Sequence, residues 1–145
     1  MARMKTVSVD AKLDEKFKID VRAGGHVMVV DQPKAAGGAD AGPSPLEYFF
    51  ASLAGCIGTV ARIMANQKRI PLRGIDMKIE GDFDVETLLG KSKENRAGFA
   101  GIKVILNIDA DMSKAEKESF VHEIESRCPV SDNIACSTPV AIEVV

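Results

Sequence analysis

"SPLEYFFASLAGCIGTVARIM", residues 44–64, decides how the rest of the chain is read. Ser44 can cap, Pro45 suits the first helical position, and Glu47 stands three residues after Ser44, completing an S-x-x-E capping box. Leu46, Phe49, Phe50, Leu53, Ile57, Val60 and Met64 then recur at helical spacing, which predicts a helix running to about Gln67. Ala51, Ala54, Gly55, Gly58, Ala61 and Ala65 make another side smooth, so the helix is expected to be buried nearly all round. Each mid-helix glycine costs about 1 kcal/mol relative to alanine. That cost predicts a close approach to the smooth side by a second helix, from the same chain or a partner. Glu47 and Arg62 leave fewer than the ~18 uncharged residues a membrane span needs, so this is read as a core helix.

Working outward, Val7, Val9, Ala11 and Leu13 alternate with polar residues, and Phe17, Ile19 and Val21 repeat the pattern, predicting a strand hairpin from Lys5. Gly24-Gly25 allows a tight turn into a third strand over residues 26–31. Residues 32–45 lack periodicity and read as a loop, long enough to suggest a functional role. After the helix, Ile75, Met77 and Ile79 mark a strand, and "VETLLGKSKENRAGFAG" reads as a polar, mobile connection. Ile102, Val104, Leu106 and Ile108 mark the next strand. Ser113 and Glu116 repeat the capping box and open a second helix that ends near Arg127. A short helical turn is expected after Cys128-Pro129, and Val140, Ile142 and Val144 predict a terminal strand. This order supports an α+β fold with antiparallel sheets, built as one domain over residues 1–145.

Nineteen basic and 21 acidic residues give a net charge of -2, which provides no field to attract nucleic acid or an anionic membrane. The first twenty residues lack an apolar run and a cleavage pattern, so a cytoplasmic location is expected. Cys56, Cys128 and Cys136 make neither an even disulfide framework nor a CxxC metal site, and His26 and His122 are the only histidines. No metal or other cofactor is expected. Two readings of Cys56 stay open: a small hydrophobe in a crowded helix, or a redox thiol. Cys136 reads as a core residue, or as a competitor of Cys128 for a disulfide. His26 and His122 read as surface or packing residues.

"GPSPLEYFFASLAGC", followed some seventy residues later by "CPVSDN", resembles the OsmC/Ohr family of osmotically induced and organic-hydroperoxide-resistance proteins, and within it the OsmC-like subgroup. The resemblance implies a long central helix, a second helix and two subunits intertwined as a homodimer. It also implies reduction of organic hydroperoxides, and of hydrogen peroxide as a second substrate. Cys56 would attack the peroxide oxygen to give a sulfenic acid, Cys128 would condense with it, and an external dithiol would reopen the disulfide. The alternative within the same fold is a non-catalytic small-molecule-binding or stress-related protein with structural thiols.

A free thiol is only a few per cent thiolate at neutral pH, so a peroxidatic cysteine needs a nearby cation. The helix dipole fades within the first turn, and Cys56 lies about three turns in. By resemblance the cation would be Arg22, with His26 competing and Glu47 as the arginine's partner. Nine residues at about 100° each put Glu47 on the opposite side of a straight helix from Cys56, so capping accounts for Glu47 equally well. Cys128, before Pro129 at a helix start, is expected to have a low pKa and to leave readily from a disulfide.

Overall fold

The computed structural model describes residues 1–145, which fold as two compact units, Met1–Ala51 and Ser52–Val145. In the first, β1 (Asp10–Leu13), β2 (Ile19–Ala23) and β3 (His26–Val30) form an antiparallel meander. Leu13 pairs with Ile19, and Ala23 pairs with His26 across a turn in which Gly24 takes the left-handed φ of +59°. β1 begins at Asp10 rather than Lys5. Asp10 lies opposite Arg22, one residue from the end of β2, so Val7 has no residue left to pair with.

Beyond β3, Asp31 is buried. Its Oδ1 accepts the Gln32 N–H at 2.8 Å, and its Oδ2 accepts those of Ala39 and Ala41 at 3.2 and 3.0 Å. The Ala41 amide is the largest influence holding this carboxyl below the usual range, followed by that of Gln32. The loop therefore curls around one carboxylate, with a 3-10 turn at Lys34–Ala36. A Cβ at Gly38 would fall 1.9 Å from the Gln32 carbonyl oxygen, and one at Gly42 would fall 2.1 Å from that of Val29. Neither position can hold a side chain without moving the backbone.

The loop delivers the chain to α1 (Pro45–Lys68) through the expected capping box. Ser44 N–H donates to Glu47 Oε2 at 2.7 Å, and Glu47 N–H donates to Ser44 Oγ at 3.3 Å. Tyr48 Oη donates to the Val29 carbonyl at 2.9 Å, tying the first turn to β3.

In the second unit, β4 (Gly74–Gly81) and β5 (Ile102–Asp109) pair antiparallel, Gly74 opposite Asp109 and Gly81 opposite Ile102. The core joins Leu53, Ile57, Val60, Ala61, Met64 and Ala65 of α1 to Ile108 of β5 and to Phe120 and Ile124 of α3 (Lys114–Arg127). Strand alternation turns Val104 and Leu106 inward against this core and leaves Ile105 outside. Ser113 and Glu116 cap α3 reciprocally, as their spacing predicts.

One expectation is met in part within the single chain, and two need correction. Within one chain α1 is buried on one face only, because its partners all pack on that side; Gly55, Thr59 and Ile63 are exposed. No second helix of this chain meets the glycines: a Cβ on Gly58 would touch Met77 Cε at 3.5 Å, and one on Gly55 would meet nothing within 4 Å. Next, the connection after β4 contains a short helix, α2 (Val85–Leu88). It forms because Asp84 accepts the N–H groups of Glu86 and Thr87, while Asn95 donates to the same carboxylate at 2.9 Å. Finally, the terminal strand is absent. Val140, Ile142 and Val144 are 82%, 88% and 92% exposed, since alternation makes a strand only where a neighbouring backbone completes the ladder.

Candidate active site

α1 carries Cys56 one residue before the buried Ile57, so the core that fixes Ile57 also fixes the cysteine's height and direction. Cys128 is set from the other end of the sequence. It terminates α3 in extended conformation (φ -85°, ψ 110°) and serves as N-cap of α4 (Pro129–Ala135), with Pro129 at the first helical position. Its own sulfur is the cap, accepting the Ser131 N–H at 3.4 Å. The "CPVS" spacing encodes this, with Ser131 at the third helical position; the sequence reading anticipated amide donors there but did not single out Ser131.

These two placements bring the sulfurs together. Cys128 Sγ lies 2.7 Å from Cys56 Sγ, across 72 residues of sequence, with both thiols free. A disulfide requires about 2.05 Å, so closure asks for less than an ångström of side-chain movement. Cys56 is partly exposed, whereas Cys128 is only 1% exposed. Burial, followed by the hydrogen bond to Cys56, pushes the Cys128 thiol up from its ordinary value, outweighing the Ser131 and Val130 amides. The expected low pKa of Cys128 is therefore overturned. The helix start is present as anticipated, but desolvation of the buried sulfur exceeds what two amides return.

A cavity of about 200 Å³ with mainly apolar walls is lined by sequence neighbours of both thiols, Leu53 and Ile57 around Cys56 and Ser131 after Cys128, together with Val104 and Ile124; neither cysteine is among its walls. Cys136 is exposed at the C-cap of α4, with Sγ 3.8 Å from Asp132 Oδ1. It is not the core residue expected, because α4 has no fully buried position to carry its end inward.

Arg22 and Glu47 belong to the first unit. Arg22 is exposed on β2, between Asp10 and Val27 in the ladder, and forms no ion pair within the chain. Glu47 is occupied by Ser44, whose backbone N–H and then its hydroxyl hold the carboxyl below the usual range. Both histidines are exposed. No group of three or more His, Cys, Asp or Glu side chains is arranged to hold a metal ion.

Comparison with known proteins agrees with this architecture. An OsmC-like protein from Mycoplasma pneumoniae superimposes with a TM-score of 0.79 at 22% identity, over 92% of this chain and 89% of that one. An organic hydroperoxide resistance protein OsmC from Legionella pneumophila gives 0.65 at 22% identity, over 92% and 91%. The organic hydroperoxide resistance protein OhrB of Bacillus subtilis gives 0.62 at 21% identity, over 92% and 93%. No curated protein sequence matches the chain significantly. The profile of the OsmC-like protein family matches residues 37–143, a span holding both sulfurs of the pair, the capping box of α1 and the whole of α3 and α4. The chain therefore belongs to the OsmC-like protein family.

Proposed function

We propose that this protein reduces organic hydroperoxides with the Cys56 and Cys128 thiols. The observation that carries this reading is the 2.7 Å separation of the two sulfurs. The Cys56 thiolate attacks the outer peroxide oxygen, the O–O bond breaks, and the alcohol leaves with a proton, giving Cys56 sulfenic acid. The Cys128 sulfur then attacks Cys56 Sγ and expels water, forming the disulfide. An external dithiol reduces it. Partial exposure lets an oxidant reach Cys56, and the apolar cavity lined by neighbours of both thiols suits the hydrocarbon part of an organic hydroperoxide. Both family relatives named for organic hydroperoxide resistance support the substrate class.

A homodimer in a reducing, cytoplasmic setting is part of the same proposal. It is supported by the exposed Gly55, Thr59 and Ile63 on α1 and by the alternating apolar residues of 140–144.

Intact mass after one equivalent of cumene hydroperoxide tests the chemistry. The expected product has lost two hydrogens and carries a Cys56–Cys128 crosslink that disappears in Cys56→Ser. A wild-type protein that stays fully reduced would refute the reductase and favour the binding protein with structural thiols.

A further inference from the structure

We propose that Cys136 is a third redox thiol that takes over the disulfide from Cys56, carrying it from the buried pair to the protein surface. This rests on the reductase reading. It starts from an accessibility problem, because once the Cys56–Cys128 bond forms, one of its sulfurs belongs to a residue only 1% exposed. A reductant from solvent must attack the Cys56 sulfur and expel Cys128. That is the poorer direction of exchange, since burial raises the Cys128 thiol and weakens it as a leaving group.

α4 offers the other direction. Its seven residues begin at a cap formed by Cys128 and end at a cap formed by Cys136, and none is fully buried. While helical, α4 keeps the Cα atoms of its two caps about 12 Å apart, beyond the roughly 4.4–6.8 Å that a disulfide spans. Exchange therefore requires α4 to unwind, and oxidation of Cys128 favours this. The sulfur that enters the disulfide is the one that accepts the Ser131 N–H. Closing the bond draws that sulfur toward Cys56 and away from a cap already long at 3.4 Å, which loosens the first turn. A short surface helix is the kind of element that opens at low cost, and closing so small a loop is inexpensive in chain entropy.

In the transfer, the exposed Cys136 gives up its proton to solvent. The thiolate attacks Cys128 Sγ, the Cys128–Cys136 bond forms, the Cys56–Cys128 bond breaks, and Cys56 leaves as thiolate and takes up a proton. No net oxidation occurs. Cys56 is ready for another peroxide, and the disulfide now closes the unwound segment 129–135 at the surface.

The test counts peroxide without any reductant. Purified full-length protein, reduced and freed of dithiol, is titrated with cumene hydroperoxide, quenched with iodoacetamide and mapped for crosslinks over time. Wild type is expected to consume about two equivalents, with Cys56–Cys128 appearing first and Cys128–Cys136 replacing it, while Cys136→Ser stops at about one. Amide exchange over residues 130–135 is expected to quicken in the oxidised wild type. If wild type and Cys136→Ser both stop at one equivalent with Cys56–Cys128 as the lasting crosslink, the relay is wrong and the reductase stands. If neither forms any crosslink, both proposals fall.

Discussion

Ile124 and Ile105 are the same residue in opposite surroundings, so truncating each to alanine isolates what burial contributes. Ile124 is 1% exposed on the inner face of α3, whereas Ile105 is 44% exposed on the outer face of β5. Ile124→Ala removes three buried carbons, about 2.4 kcal/mol of transfer free energy. It also enlarges the cavity that Ile124 already lines, where little can collapse to fill the gap. A total loss of about 3–4 kcal/mol follows, or about 10 °C in thermal midpoint for a chain of this size. Ile105→Ala removes the same atoms from a surface that water already reaches, and is expected to cost under about 1 kcal/mol. Urea denaturation followed by far-ultraviolet circular dichroism measures both at matched protein concentration. Equal losses would refute the assignment of α3 as the lid of the core, and so the argument that Cys128 is held in place from that helix.

Several further outcomes bear on the site and its approach. After oxidation of Cys56, crosslink formation in stopped flow should accelerate with pH, with a midpoint above that of an ordinary thiol, because Cys128 reacts as thiolate and its burial favours the neutral form. The same raised pKa means that the stability contributed by the buried neutral thiol is fully present below the unfolded value. It should be lost as pH rises through the folded one, visible as an alkaline fall in thermal midpoint of the reduced protein. Ser44→Ala should lower stability by about 1 kcal/mol through loss of the α1 cap. The contribution of Glu47 to that cap should vanish as pH falls below the ordinary carboxylate range, since its folded pKa is depressed. Asp31→Asn should speed hydrogen exchange at the amides of Ala39 and Ala41, and unchanged exchange there would contradict the loop's dependence on that carboxylate.

Both capping boxes were legible because S-x-x-E specifies a local geometry that needs no distant partner: Ser44 with Glu47, and Ser113 with Glu116, form as written. The meander was legible for a similar reason, since Gly24-Gly25 sets the turn and the alternation sets the faces. What escaped depends on neighbours distant in sequence. Alternation at Val140, Ile142 and Val144 describes a strand's side chains without supplying a backbone to pair with. The Cys128 environment was misjudged because a helix start is a local signal, whereas desolvation depends on what the rest of the unit packs around the sulfur. The meeting of Cys56 and Cys128 follows only from folding; the family resemblance implied it, and no spacing rule dictated it.

The loop that Asp31 gathers is shaped by contacts among main-chain atoms, with Gly38 and Gly42 kept bare by the carbonyls they pass. The side chains of Lys34, Ala35 and Ala36 face outward and join none of the Asp31 contacts. Such a segment can change its surface chemistry by mutation while the chain still arrives at Ser44 in the geometry that starts α1. Evolutionary drift in this stretch should therefore be rapid at those outward positions and nearly frozen at 31, 38 and 42, so a library randomised over the former would keep most of its members folded.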